Sequence, residues 1–211
     1  MPNWCSNHIT VRGTDPAAIK RLADAFDNGE FCGTVVPMPE ELNITSGFLG
    51  NGAEQAELEA KSKANLEKYG YANWYDFNVA NWGTKWEIGG NGDVAEIEDD
   101  GLSFSASFES AWSPPTQICE ALLEQGFDVT LYYHEPGMGY VGKWEDGCDD
   151  YYEYSGENSQ TIRAAIGDEL DDMFGISESM AEYEAENEEE ELTEWIKDGA
   201  ESRKGWDKVE L

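Results

Sequence analysis

Strand and helix patterns alternate along this chain, and their order constrains the fold more than any other feature. Residues 4–13 alternate in polarity and end in β-branched side chains, which predicts a strand. Residues 16–27 carry apolar side chains at helical spacing, with Asp15 as the expected N-cap residue and Pro16 in the first turn. Asn28 and the glycine after it predict the end of this helix.

A second strand–helix–strand series begins near residue 94. Residues 94–110 predict a β-hairpin, because apolar residues alternate after an Asp-Gly turn. Residues 113–126 predict an amphipathic helix with Ser113 as its N-cap residue. Residues 127–135 predict the strand that follows, so the order of the first series is repeated.

The segments between and after these two series predict further elements. Residues 30–42 are expected to begin as an extended segment, and residues at about 53–80 to form an inserted helical segment. The phrase "GTKWEIGG" (83–90) predicts a short strand. Residues 140–146 and 149–155 predict one more hairpin around a glycine turn.

Together these elements predict an α+β fold of the ferredoxin-like type, a split βαββαβ pattern with an antiparallel sheet. Helices at 16–27 and 114–125 would cover one face, and the last hairpin would add extra C-terminal strands. We expect this domain to span residues 1–155, with the helical insertion at about 53–80. Residues 156–211 hold 18 acidic and 5 basic residues and predict an acidic helical C-terminal extension.

The charge of the chain restricts its partners. Its 45 acidic and 13 basic residues give a net charge of −32, and both the predicted domain and the extension are acidic. Nucleic-acid binding requires Lys and Arg to neutralise phosphates, and an anionic membrane surface repels an acidic protein in the same way. The sequence therefore argues against direct nucleic-acid binding and against membrane binding. It favours a basic partner, a cation, or an acidity that serves only solubility.

The densest acidic run predicts a surface that could imitate DNA. Seven glutamates lie between residues 182 and 191, about one charge per 2 Å of a helix axis, and duplex DNA carries one per about 1.7 Å. The alternative is a solvated tail. The candidate partner-binding residues are Glu182, Glu184, Glu186, Glu188, Glu189, Glu190 and Glu191 in this run, with Asp149 and Asp150 in the acid-rich segment before it.

Aromatic residues and glycines cluster in three phrases, "NWGTKWE" (81–87), "AWSPP" (111–115) and "EPGMGYVGKWE" (135–145). Trp and Tyr often anchor binding sites, but large aromatic residues near glycines also pack in ordinary cores. Lys85, between two tryptophans, is expected to be an internal charge partner. The candidate pocket residues are Trp82, Trp86, Trp112, Met138, Tyr140 and Trp144.

The sequence offers no recognisable catalytic or metal-binding motif. His8 and His134 lie outside any nucleophile–base motif, and the four cysteines have no CxxC spacing. The acidic loops lack the residue order of an EF-hand. We therefore predict no catalytic residue, no metal, no cofactor and no enzymatic activity.

The sequence also bears on the compartment. No apolar run approaches the roughly 18–20 residues that cross a bilayer. The first residues lack the basic and apolar regions of a signal peptide. The prediction is a cytoplasmic protein.

Several phrases resemble a known family. "MPNWCSN", "YANWYDFNVANWGTKWE", "AWSPP" and "EPGMGYVG" are similar, in wording and order, to the YubB-like family carried by phages and conjugative plasmids. The resemblance covers about residues 1–155 and implies a ferredoxin-like domain for which no catalytic residues are assigned. It also implies a small protein of the host cytoplasm that acts on host machinery.

Two functions follow from these observations. In the first, an acidic protein of phage or plasmid type binds and blocks a basic, nucleic-acid-handling host or defence protein, with DNA mimicry as the mechanism. In the second, a small-ligand or peptide-binding module uses the Trp- and Gly-rich pocket, and the acidity serves solubility only. An enzyme that uses carboxylate or metal chemistry is the least supported of the alternatives.

Overall fold

A computed structural model describes the backbone of residues 3–206, and the side chains of that range up to Glu190 and at Thr193 and Trp195. The chain divides into two compact units, Met1–Glu153 and Tyr154–Leu211. No helix in the described part of the chain is long and apolar enough to cross a membrane.

The first unit interleaves strands with helices. In chain order its elements are β1 (Trp4–Arg12), α1 (Pro16–Asp27), α2 (Phe31–Val35), a 3₁₀ turn (Glu40–Leu42), α3 (Ala53–Tyr69), α4 (Trp74–Asn81), β2 (Glu96–Ile97), β3 (Ser103–Ala111), α5 (Thr116–Glu124), β4 (Asp128–Glu135), β5 (Tyr140–Glu145) and β6 (Cys148–Glu153).

These strands form one antiparallel sheet in the order β2-β3-β1-β4-β5-β6. The first four have the strand order of a split βαββαβ fold, so the predicted α+β, ferredoxin-like architecture is confirmed. Helices α3 and α4 form the predicted insertion between α1 and β2. The hairpin of β5 and β6 extends the sheet beyond β4, also as predicted.

Apolar side chains hold α1 and α5 against one face of the sheet. Ile9 of β1, Phe104 of β3 and Leu131 of β4 are fully buried. Burying side chains of this size contributes about 1.5–3 kcal/mol each. Asp15 caps α1 as predicted, since its carboxylate accepts the Ala17 N–H at 2.9 Å. The helices contribute a buried stripe made of Ile19, Leu22 and Phe26 from α1 and Ile118 and Leu122 from α5.

Two local predictions are wrong, because distant contacts decide the backbone. Residues 30–42 do not begin extended, since α2 forms there and two of its N–H groups bind Glu87. Residues 83–90 form bends and irregular backbone rather than a strand, with only an isolated bridge between Gly90 and Asp93. Gly89, with φ of +78°, lies so close to the Phe26 carbonyl that a Cβ would overlap it.

Ser113 is also not the N-cap residue of α5. Pro115 occupies that position and makes no side-chain cap bond. The Ser113 hydroxyl instead donates to the Gly83 carbonyl at 2.5 Å. The Ser113 side chain, predicted from the sequence to cap α5, thus joins the start of α5 to the segment after α4.

The second unit is helical in its described part, with α6 (Ile162–Ile166), α7 (Asp168–Phe174) and α8 (Ile176–Trp206). Helices α6 and α7 meet at Gly167. Buried Asp171 accepts hydrogen bonds from Ser177 and from the Arg163 guanidinium. Burial opposes its ionisation, but these bonds outweigh burial and lower the pKa of Asp171.

Candidate binding site

The segment 81–87 is fastened to its surroundings by buried side chains. Trp82 is only 5% exposed, and its indole N–H donates to the Val36 carbonyl at 2.9 Å. The Thr84 hydroxyl donates to the Ala111 carbonyl, at the end of β3, at 3.1 Å. These bonds hold the segment against the sheet and α2, so its backbone is a fixed platform for the residues between them.

Gly83 fits only because it has no side chain. Its φ is +81°, and a Cβ there would overlap the amide oxygen of Gln117 and lie 3.0 Å from the Pro114 carbonyl oxygen. The close approach brings the segment after α4 into contact with the loop that joins β3 to α5. These two segments carry the aromatic residues described next.

Glu87, the last residue of the segment, is fixed by two hydrogen bonds from backbone N–H groups. Its carboxylate accepts the backbone N–H groups of Cys32 at 2.7 Å and Gly33 at 2.8 Å. Burial raises the pKa of Glu87, even though both N–H groups favour its ionised form. The carboxylate therefore has a structural role, satisfying N–H groups in the first turn of α2.

Three aromatic rings surround the ammonium of Lys85. Its Nζ lies 4.5 Å from the ring centre of Trp86, 4.8 Å from that of Trp112 and 6.0 Å from that of Tyr75. We call these three rings the aromatic cage. Distances of this size allow cation–π attraction between the ammonium and each ring.

Further aromatic residues extend the aromatic cage over the surface. Trp4 packs against Trp86 with ring centres 6.0 Å apart, and Trp74 against Tyr75 at 5.8 Å. Trp4 is 47% exposed, Trp86 40% and Trp112 43%. Exposed aromatic groups of this kind are typical of binding surfaces rather than of cores.

The backbone of Trp112 is strained and firmly held. Its φ is +73°, a conformation that costs a residue other than glycine roughly 1–3 kcal/mol. Its N–H donates to the Asn3 carbonyl at 2.9 Å, and its carbonyl accepts the Tyr140 hydroxyl at 3.0 Å. These bonds fix the backbone of Trp112, from which the indole extends at the end of β3.

Lys85 does not have the charge partner expected from the sequence. Within the part of the chain whose side chains are described, its ammonium forms no ion pair, and its contacts are with aromatic rings. Its backbone carbonyl accepts the Asn78 side-chain N–H at 2.9 Å. The main chain at Lys85 is therefore anchored independently of the side chain.

A cleft of about 320 Å³ is lined in part by the loop between β3 and α5. This volume is at the lower end of the range for small-ligand sites. The cleft mixes hydroxyl, amide and carboxylate groups with apolar walls. Its lining residues are Val79, Gly83, Ser113, Pro114, Thr116, Gln117, Tyr133, Tyr140, Asp149 and Tyr151.

A phenol–carboxylate pair forms the polar end of this cleft. The Tyr133 hydroxyl donates to Asp149 Oδ1 at 2.5 Å. Burial, reinforced by this bond and by the Asp149 charge, raises the pKa of Tyr133, and burial likewise raises the pKa of Tyr140. Each phenol has one proton, which Tyr133 donates to Asp149 and Tyr140 donates to the Trp112 carbonyl. The phenol oxygens are therefore left to accept a hydrogen bond from a donor group of a ligand.

The structure does not bring the six candidate pocket residues into one pocket. Trp86 and Trp112 form part of the aromatic cage, and Tyr140 lines the cleft. Met138 is 68% exposed in the β4–β5 turn. The other two, Trp82 and Trp144, are buried in the core.

Sequence reasoning missed Tyr75 of the aromatic cage and Tyr133 of the cleft. Tyr75 lies in the phrase "YANWYDFNVANW", whose aromatic content is a signal that could have identified it. Tyr133 has a strand position that alternation alone assigns to the core. The Tyr133 hydroxyl is bonded to Asp149, which lies in another strand, and the sequence does not show that these two residues meet.

The candidate acidic residues fall into two groups. Asp149 and Asp150 lie on β6 of the first unit, where Asp149 binds Tyr133. In α8, Glu184 accepts the N–H and hydroxyl of Ser159 at 2.9 and 2.6 Å, which lowers its pKa. The Glu191 side chain lies outside the described residues. The exposed members are Glu182, Glu186, Glu188, Glu189 and Glu190.

The two histidines lie on the sheet, on neighbouring strands. His8 of β1 is opposite Tyr132 of β4, and His134 of β4 is opposite Ser6 of β1. His8 Nδ1 lies 3.0 Å from the Ser107 hydroxyl, and burial lowers the pKa of His134 to about 4. Among the residues that are described, no group of His, Cys, Asp and Glu side chains is arranged to hold a metal ion.

Comparison with known proteins gives one structural similarity. No protein-family model and no curated protein sequence matches the chain. Among solved structures, the chain is similar to the protein api92 from Yersinia pseudotuberculosis, described as a DUF1281 protein, with a TM-score of 0.40 and 10% sequence identity. The alignment covers 74% of this chain and 99% of that chain. The resemblance to the YubB-like family stays a prediction.

Proposed function

We propose that this protein is an acidic interaction protein of phage or plasmid type that binds a basic, nucleic-acid-handling protein of the host or its defences. Binding would cover the partner's nucleic-acid surface and block it. The observation that carries the proposal is a row of exposed carboxylates on α8, which we call the acidic row. It consists of Glu182, Glu186, Glu188, Glu189 and Glu190.

The spacing of the acidic row supports charge mimicry. Its residues span eight helical steps, on the order of 12 Å at 1.5 Å per residue. This gives a charge every 2–3 Å on average, against one per about 1.7 Å in duplex DNA. At 3.6 residues per turn, Glu188 lies on the opposite side of α8 from the other four, so a basic groove that fits phosphates would meet about four of these charges on one face.

Part of α8 is also fixed within its own unit. The two hydrogen bonds from Ser159 to Glu184 tie the helix to the segment before α6. Glu184, a predicted partner-binding residue, is thus engaged internally and is left out of the acidic row. A helix held in this way presents its carboxylates with less loss of conformational freedom on binding than a disordered acidic tail would.

The net charge of −32 predicts the character of the binding. A field of this size speeds encounter with a basic protein and weakens as salt screens it. The same field opposes direct contact with nucleic acid. The proposal therefore requires affinity that falls steeply with ionic strength, and a partner with an excess of Lys and Arg.

The test uses purified core histones bound to a fluorescent DNA duplex as a model basic, nucleic-acid-binding partner. The release of DNA by the full-length protein is measured at low and at high ionic strength. One variant changes the five residues of the acidic row to Gln. A control with the same net charge changes five exposed glutamates of the first unit, Glu54, Glu59, Glu67, Glu98 and Glu124, to Gln.

We expect the wild type and the control to release DNA at low ionic strength, and the acidic-row variant to require about tenfold more protein. Capture from a nuclease-treated bacterial lysate, with the same three proteins, then identifies the natural partner. Equal release by both variants would contradict the assignment to the acidic row. Captured proteins that are neutral or acidic, and that stay bound at high salt, would contradict the proposal as a whole.

A second function is favoured by the cleft, in which the first unit binds a small ligand or peptide and the acidity serves solubility only. The observation behind it is a pair of phenols, the buried Tyr133 and the half-buried Tyr140, that line a cleft of about 320 Å³. Ligand-observed NMR with a fragment library, repeated on Tyr151→Ala, tests this function. Fragments that bind the wild type and lose binding in Tyr151→Ala support it, and binding that is unchanged excludes the cleft.

A further inference from the structure

We propose that the aromatic cage is a binding site for the guanidinium group of an arginine side chain, and that Lys85 is an internal occupant which the arginine displaces. The inference rests on the proposed function, since it names the group of a basic partner that the first unit receives. Its test uses a small arginine analogue and requires no partner protein.

The aromatic cage already binds a cation in the free protein. The Lys85 ammonium lies over the rings of Trp86 and Trp112 and at the limit of contact with Tyr75. The Tyr75 and Trp112 rings meet edge to face, with centres 6.2 Å apart and planes at 79°. Ring faces that converge in this way attract any cation of suitable size.

Lys85 is a replaceable occupant. Within the described residues its ammonium has no carboxylate partner, so only ring contacts and water compete for it. Its carbonyl stays bound to Asn78 whatever the side chain does. The side chain can therefore rotate into solvent, where the ammonium regains its full hydration, while the backbone of the platform stays in place.

The walls of the aromatic cage persist when Lys85 leaves. The backbone of Trp112 is fixed by two hydrogen bonds, from its N–H to the Asn3 carbonyl and from the Tyr140 hydroxyl to its carbonyl. Tyr75 lies in the first turn of α4, where its N–H is bound by the Asn73 cap at 2.9 Å. Trp86 packs against Trp4. A preorganised site of this kind binds a ligand without the free-energy cost of ordering its own rings.

The chemistry of the walls favours arginine over lysine. A guanidinium is planar, stacks on aromatic faces and is less strongly hydrated than an ammonium, so it loses less on leaving water. The exposed faces of Trp86 and Trp112 leave room for a flat group to approach. Proteins that handle nucleic acid present arginines on the surface that contacts phosphates, so such a partner carries the required group.

The experiment titrates N-acetylarginine methylamide into the full-length protein and follows the indole N–H signals of Trp86 and Trp112 by NMR. The buried indole of Trp144 is the internal reference for an intact fold. N-acetylcitrulline methylamide, which has nearly the same shape but no charge, is the matched ligand. The variants are Lys85→Ala, Lys63→Ala as a charge-matched control on exposed α3, and Trp86→Leu in the Lys85→Ala background.

We expect weak binding to the wild type and to Lys63→Ala, and about tenfold tighter binding to Lys85→Ala, because the competing cation is gone. Trp86→Leu should reverse this gain, since it keeps an apolar wall but removes the ring. The citrulline analogue should not shift either signal. Equal binding by Lys85→Ala and Lys63→Ala, or binding of the citrulline analogue, would overturn the inference.

The outcome is separable from the proposed function. If the arginine analogue binds as expected but the captured proteins are neutral or acidic and stay bound at high salt, the aromatic cage stands and the proposed function fails. If the acidic row is required but the arginine analogue does not bind the aromatic cage, the proposed function stands and the inference about the aromatic cage fails.

Discussion

The ammonium of Lys85 lies 4.8 Å from the ring centre of Trp112, and the two residues belong to segments that meet only in the folded protein. Lys85 follows α4 in the insertion, whereas Trp112 follows β3 of the sheet. Gly83 allows the two segments to approach, and the Ser113 hydroxyl bonds one to the other. The aromatic cage is therefore a product of tertiary structure, and its stability depends on backbone geometry at Trp112.

The positive φ of Trp112 predicts an unusual ranking of substitutions at this position. Trp112→Gly should be more stable than Trp112→Ala by about 1 kcal/mol, because glycine adopts this conformation without strain whereas alanine does not. Urea unfolding followed by circular dichroism measures the difference. At Trp86, whose φ is not positive, Trp86→Ala should be more stable than Trp86→Gly. If the glycine variant were the more stable one at both positions, backbone strain at Trp112 would be ruled out as the cause.

Removal of the Glu87 carboxylate should destabilise the first unit. Glu87→Ala leaves the N–H groups of Cys32 and Gly33 without their acceptor, at an expected cost of about 2 kcal/mol at neutral pH. As a control, Glu30→Ala removes a neighbouring exposed carboxylate that makes no capping hydrogen bond. It should change the free energy of unfolding by less than about 0.5 kcal/mol. Both values come from urea unfolding curves.

The pH dependence of this effect has a defined sign. Burial raises the pKa of Glu87, so its contribution to stability is complete below its unfolded pKa and is reduced as pH rises through the folded value. The cost of Glu87→Ala should therefore be larger at pH 4 than at pH 7. A cost that grows with pH would show that the ionised form is the preferred one in the folded protein.

His134 should make the protein sensitive to mild acid. Burial lowers its pKa to about 4, below the ordinary value near 6.5, so protonation favours the unfolded chain. Stability should fall by about 1 kcal/mol between pH 7 and pH 5, after allowance for partial exposure. His134→Gln should lose most of this dependence, and His8→Gln should keep it. NMR titration of both imidazoles provides an independent measurement.

The order of the main strands and helices could be predicted because the residues that mark their ends lie close to them in the sequence. Asp15 and Pro16 mark the start of α1, and an Asp-Gly turn marks the hairpin of β2 and β3. The errors arose where a partner far along the chain decides the conformation. Helix α2 depends on Glu87, which lies more than 50 residues away, and Ser113 serves Gly83 rather than its own helix.

The candidate site shows the same division between local and distant signals. Trp86 and Trp112 could be selected as unusual aromatic residues, but nothing local distinguishes them from Trp82 and Trp144, which are core residues. Only the fold determines which indole faces solvent. Lys85 has the same ambiguity, because the sequence does not indicate that its neighbours in space are rings rather than carboxylates.

The acidic row should control the rate at which the protein meets a basic partner. Long-range attraction acts before contact, so changing its five glutamates to Gln should slow association with core histones about tenfold at low ionic strength and change dissociation little. Stopped-flow fluorescence at several salt concentrations separates the two rates. The first-unit control, with the same net charge, should associate nearly as fast as the wild type. If both variants slow equally, overall charge rather than the acidic row steers the encounter.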